Sequence, residues 1–152
     1  MSTQICRSLK QVFSFVTAPE NDFQWQYGTF ESARISQGII DTGTFFRSIG
    51  HLMGRRNLST FEVTEYEPNK KYGFKSLSGP LDSETAYALE MADGGTKITI
   101  STQANVVDFF QVDERILEIR MKEQLKENLG KLKDLLEARR IPPAAETVSL
   151  AT

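Results

Sequence analysis

Two spacings divide this chain. Apolar side chains recur every three or four residues near both ends, and every second residue from Gly28 to Val107. In the first helical stretch Leu9, Val12, Phe13 and Val16 fall on one face, and Ser8 stands where an N-cap belongs. Pro19 ends that helix or opens a second short one, Pro19 to Trp25, whose early acids suit a helix start. A clipped strand over Thr3-Gln4-Ile5-Cys6 precedes both.

The alternating region breaks into strands at its glycines and prolines. Thr29 to Ile35 is the first, and Gly38 to Gly43 interrupts it. Gly43 to Met53 carries the next, Gly54-Arg55 turns, and Asn57 to Tyr66 follows. Glu67-Pro68-Asn69-Lys70 reads as a turn with its proline where type I accepts one. Lys71 to Ser78 is closed by Gly79-Pro80. Ser83 to Met91 and Thr96 to Ala104 flank Asp93-Gly94-Gly95, the strongest hairpin signal in the chain. Six consecutive strands with short links predict an antiparallel meander.

The last element is helical. Met121, Leu125, Leu129, Leu132 and Leu136 recur at steps of three and four, with Lys122, Glu123, Lys126, Glu127, Lys133 and Asp134 on other faces. A helix from Asp113 to Arg139 would be about 40 Å long at roughly 1.5 Å per residue. Pro142-Pro143 stops it; the tail 141–152 is expected to be disordered, leaving 1–140 as one domain. A sheet with one apolar face and a long striped helix predict an α+β architecture in which the sheet curls around the helix and leaves a cavity.

Composition narrows the function more than it defines it. A hydrophobic fraction of 39% in 152 residues suits one core. Acids outnumber bases and the net charge is −2, while Arg55-Arg56 and Arg139-Arg140 are isolated pairs, so no footprint for nucleic acid exists. No apolar run approaches the ~18 residues of a membrane span, and Met1 to Lys10 lacks the apolar core of a signal peptide. Cys6 is the only cysteine, which excludes an internal disulfide and fits a reducing cytoplasm. With Cys6 and His51 as the only soft donors, no metal or other cofactor is expected. Neither Gly-x-Ser-x-Gly nor a phosphate-binding loop occurs.

Several segments taken in order resemble a known family. They are Val12-Phe13-Ser14-Phe15-Val16 with Pro19-Glu20-Asn21 and Trp25, then Thr60 to Pro68, then Asp93 to Thr99, then Leu125 to Glu137. Together they resemble the START-like, or SRPBCC, superfamily and its polyketide cyclase/dehydrase-like group. The resemblance implies the helix-grip fold: a curved antiparallel sheet of six to seven strands around a long C-terminal helix. Two departures stand out. The first strand is short, so the sheet edge near Gln4 is frayed or covered by a second subunit. The glycine-rich loop of plant pathogenesis-related members has no counterpart, and the ligand sets of ring-hydroxylase domains are missing.

Strand parity supplies candidates for the cavity wall. Tyr72, Phe74 and Ser76 share a face, as do Tyr87 with Leu89, Ile98 with Ile100 and Thr102, and Phe61 with Val63. Of adjacent Phe45 and Phe46 one must point in, and the resemblance favours Phe46 with Ser48. It also places Trp25 and Tyr27 at the cavity mouth, as cap or anchor. Phe110, Leu117 and Met121 complete the list. All of these side chains would also serve as plain core; Tyr72 and Tyr87 stand out because a buried hydroxyl needs a partner.

Two ionisable residues carry sharper alternatives. At about 100° per residue, Glu118 and Glu114 fall beside the line of Leu125, while Val112, Ile116 and Ile119 point away. Either the helix breaks near Arg120, or Glu118 is a buried carboxylate able to orient a ligand or move a proton. His51 points outward by alternation from Phe46 unless a bulge reverses it. Three functions follow: binding or transport of a small hydrophobic molecule such as a lipid, isoprenoid or aromatic metabolite; a cyclase/aromatase or dehydratase working by general acid/base catalysis; or an interaction module, with Ile116 and Ile119 as a homodimer patch.

Overall fold

The computed structural model describes residues 1–52, 54–106 and 113–138. The elements run β1 (Ser2–Ile5), α1 (Leu9–Val16), a 3-10 turn (Pro19–Asn21), α2 (Asp22–Trp25), β2 (Thr29–Arg34), β3 (Phe45–Leu52), β4 (Arg55–Glu67), β5 (Lys71–Ser78), β6 (Leu81–Ala92), β7 (Gly95–Val106) and α3 (Glu114–Ala138). Seven strands form one antiparallel sheet in the order β1-β7-β6-β5-β4-β3-β2. The expected six-strand meander is β2 to β7, and β1 joins its far edge by pairing with β7 over four residues.

Local chemistry explains the breaks. Ser8 caps α1 through a reciprocal capping box: its hydroxyl accepts from the Gln11 N–H, and the Gln11 side chain accepts from the Ser8 N–H. The β6–β7 ladder closes at Ala92 and Gly95, so the hairpin loop is two residues, Asp93 and Gly94. Both have positive φ (45° and 78°), the primed turn that matches the twist of a tight hairpin.

The core lies between the sheet's concave face and the helices. Val12, Phe13 and Val16 of α1 and Leu129, Leu132 and Leu136 of α3 are buried in one cluster with Ile5, Val63, Tyr72, Tyr87, Leu89, Ile98 and Ile100. The last turns of α3 are fastened to the N-terminal strand by polar contacts. Lys133 Nζ donates to the Gln4 carbonyl (2.6 Å) and to Glu137 (2.8 Å), which also accepts from the Cys6 N–H (2.9 Å). The edge strand near Gln4 is therefore held by α3.

The helix is continuous from Glu114 to Ala138, so the break considered near Arg120 does not occur. Glu118 nevertheless points to solvent and pairs with Lys122 one turn on (3.0 Å), which corrects the expectation of a buried carboxylate. The physical reason is the environment rather than the helix angle. In this half of α3, Arg120, Met121, Glu123, Gln124 and Glu127 border an open hollow instead of packed sheet. Leu117 is buried, outside the main cluster; Ile116 and Ile119 are exposed, as their phase predicts.

Candidate functional site

An inner hollow of about 180 Å³ lies between α2, the first half of α3 and the β3–β4 end of the sheet. Its floor is aromatic. Phe46 stacks on Phe61 (ring centroids 5.0 Å), and Phe74 meets both edge-on at 5.3 and 5.4 Å. Alternation places Phe46, Ser48 and Gly50 of β3 on this side, and the hydrogen-bonded register sets Phe46 opposite Phe61 and Ser48 opposite Ser59. Phe45, the alternate neighbour, is exposed.

Most of the remaining wall is polar, with Asp22 and Gln26 from α2 and its cap, Asn57 and Ser59 from β4, Ser83 from β6, and Gln124 and Asn128 from α3. Leu52, Pro80 and Leu81 add apolar surface. An outer hollow of about 520 Å³ adjoins it, lined by Tyr27, Arg120, Met121, Glu123 and Glu127. The two share His51, Leu52 and Gln124. The link after α2 is pinned to α3, because the Tyr27 N–H donates to Asn128 Oδ1 (2.8 Å).

The candidate residues thus separate into groups. Phe46, Ser48, Phe61 and Phe74 line the inner hollow, and Met121 the outer. Val63, Tyr72, Tyr87, Leu89 and Ile100 are buried core and line neither, because Leu129, Leu132 and Leu136 close over that part of the sheet. Trp25 is a buried anchor, edge-on to Tyr87 at 6.2 Å, rather than a cap. Leu117 is buried without reaching either hollow, and Glu118 is at the surface. Phe110 lies outside the described residues. His51 is half-buried at the rim, with its ring against Tyr27 and Phe30 (5.8 and 5.4 Å).

A family model described as polyketide cyclase / dehydrase and lipid transport matches residues 1–137. The chain belongs to that family. Its fold recurs in solved structures of low identity. The Zhui aromatase/cyclase from Streptomyces sp. R1128 superposes with a TM-score of 0.73 at 11% identity, covering 91% of this chain and 92% of that one. A START superfamily protein from Mycobacterium smegmatis gives 0.72 at 14% identity, covering 89% and 96%. A conserved protein from Geobacillus kaustophilus gives 0.72 at 16%, covering 89% and 91%. No curated protein matches the sequence.

Within this family member the most unusual group in the wall is Asp22, which sequence reasoning took for an ordinary acid at a helix start. Only 9% of its surface is exposed. Burial pushes its carboxyl well above the usual range, and the neighbouring negative charge of Glu20 adds to the push. Glu20 itself goes the other way. Partial burial would raise it, but the backbone N–H and guanidinium of Arg34, at 2.9 and 3.2 Å, outweigh that and hold it low.

Tyr87 and Tyr72 feel the same surroundings. Burial first, and then the nearby Asp22, drives both phenols above their ordinary range. Gln26 reaches the Tyr87 hydroxyl at 3.5 Å, the long limit of a hydrogen bond, and accepts from the Thr29 hydroxyl (3.3 Å). This end of the site is therefore rich in hydrogen-bonding groups whose neutral forms burial favours. Among the described residues no cluster of His, Cys, Asp and Glu could hold a metal ion, and no helix is long and apolar enough to cross a membrane.

Proposed function

We propose that this protein binds a small, largely apolar, ring-bearing molecule in the inner hollow and carries or senses it. The observation that supports the reading is the Phe46–Phe61–Phe74 floor facing a mostly polar wall. Such a pocket favours a flat apolar body with few polar groups. A volume of 180 Å³ suits one or two rings, and the adjoining 520 Å³ leaves room for a longer tail. The family's description, which includes lipid transport, points the same way. The exposed, unpaired Cys6 supports a reducing cytoplasmic setting.

A second reading, a cyclase- or dehydratase-type enzyme, is favoured by Asp22. A carboxyl whose hold on its proton is strengthened by burial, beside a cavity, is the kind of group a general acid requires. Native mass spectrometry of the purified protein, followed by organic extraction, tests both. Recovery of a ring-bearing apolar molecule supports the site. A ligand-free protein that also gives no saturable NMR shifts with aromatic probes would overturn it. Turnover of the recovered molecule that Asp22→Asn abolishes would move the protein from carrier to enzyme.

A further inference from the structure

We infer that Asp22 is the specificity-determining residue of the inner hollow, selecting neutral ligands that offer a ketone- or aldehyde-type oxygen. This rests on the reading of the hollow as a ligand site. Asp22 lines the hollow and is nine-tenths buried, and among the described residues no hydrogen bond ends on its carboxyl. Its helical neighbour one turn on, Gln26, already has both ends of its amide engaged. A carboxyl nine-tenths buried with no protein partner is only partly solvated, so in a cavity wall it offers a place where a ligand atom can complete the bonding.

The chemistry of that atom follows from the charges around it. Glu20, on the 3-10 turn, is negative and engaged with Arg34 of β2. Tyr72 of β5 and Tyr87 of β6 stay neutral, and α3 contributes the uncharged Gln124 and Asn128. His51 of β3 lies on the rim. Among the described residues no cation pairs with Asp22 to stabilise its charged form, so burial favours the protonated carboxyl, which acts as a donor. A carbonyl oxygen above the phenylalanine floor accepts that proton's hydrogen bond. A ligand carboxylate would bring its charge to an already buried acid near Glu20, and is disfavoured.

The test uses the full chain and four probes sharing one ring system: naphthalene, 2-acetylnaphthalene, 2-naphthoate and 2-(aminomethyl)naphthalene. Amide NMR titrations read affinity and location together. At neutral pH the ketone should bind roughly ten-fold tighter than naphthalene, the gain of one well-placed hydrogen bond, and the naphthoate weaker than either. Asp22→Leu should erase the ketone's advantage while still binding naphthalene. Asp22→Asn, which keeps an N–H donor, should retain it.

Raising the pH should weaken ketone binding in the native protein and not in Asp22→Asn; this comparison decides the matter if the leucine variant does not fold. Equal affinity for ketone and naphthalene, a ketone advantage that survives Asp22→Leu, identical pH profiles, or preference for the amine would each overturn the assignment. Absence of saturable binding by all four probes would refute the hollow as a ring-binding site, and the role of Asp22 with it.

Discussion

Replacing Asp22 by Asn should make the protein more stable, by an amount that grows with pH. In the unfolded chain the Asp22 carboxyl ionises near its ordinary value of about 3.9. In the folded protein burial and Glu20 raise it well above that. Between those two values the folded state holds one proton that the unfolded state has lost. Stability therefore falls by about 1.4 kcal/mol for each pH unit, is intact below the unfolded value, and levels off once the folded group ionises. The amide of the Asp22→Asn variant has no such proton, and the remaining titrating groups are common to both proteins. The difference between the two stability curves isolates Asp22 apart from a constant offset.

Urea denaturation at pH 5, 6 and 7 and constant ionic strength is the assay. For a domain with an m-value of about 1–3 kcal/mol/M, the gap between midpoints should widen by roughly 0.5–1.4 M per pH unit while the window lasts. Parallel curves from pH 5 to pH 7 would mean that Asp22 is ionised in the folded state, and the hollow would then carry a buried negative charge. A residue that costs stability at neutral pH, where an amide of the same shape would not, fits a place kept for function.

Three further outcomes follow from the packing. Leu132 is fully buried, so Leu132→Ala should lose about 2–5 kcal/mol in the same denaturation assay, and a loss below 1 kcal/mol would take α3 out of the core. A Cβ on Gly50 would lie 2.1 Å from the Gly28 carbonyl oxygen, which accepts from the His51 N–H (2.8 Å); Gly50→Ala should cost about 1–3 kcal/mol and shift the Tyr27 and His51 amide signals at the mouth. Glu118→Gln removes only an exposed pair with Lys122, so stability should change by less than about 0.5 kcal/mol and probe affinity not at all; a clear loss of affinity would return Glu118 to the site.

Strand identity was legible because alternation and turn chemistry are local. The Asp93-Gly94 turn and the two-residue period fix β6 and β7 without reference to the rest of the molecule. Strand parity also put Phe61 and Phe74 on the inward face, while the choice of Phe46 over Phe45 came from the family resemblance. Helix phase was less informative. Angular alignment with Leu125 puts Glu118 on the correct side of α3 only where sheet lies opposite, and near Met121 the opposite space is the outer hollow. Asp22 was illegible for a related reason. One acid at the start of a one-turn helix reads as a partner for that helix end. Its burial comes from long-range closure by the sheet and α3, with Asn128 holding the following Tyr27 in place.

The fastening of β1 to the end of α3 also fixes an order of events during synthesis. The Lys133–Gln4 and Glu137–Cys6 contacts join residues 129 and 131 positions apart, and α3 is the last of the described elements to be made. Until it emerges, the concave face is covered only by α1 and Trp25, which leaves the surface that Leu129, Leu132 and Leu136 will bury without a lid. The nascent chain is then a curved sheet displaying apolar surface, with its first strand held by β7 but not yet by α3. Such long-range closure is entropically slow, and uncovered aromatic surface is what chaperones and aggregation partners recognise. Translation pauses before α3 should therefore lower the soluble yield far more than pauses of equal length before β2.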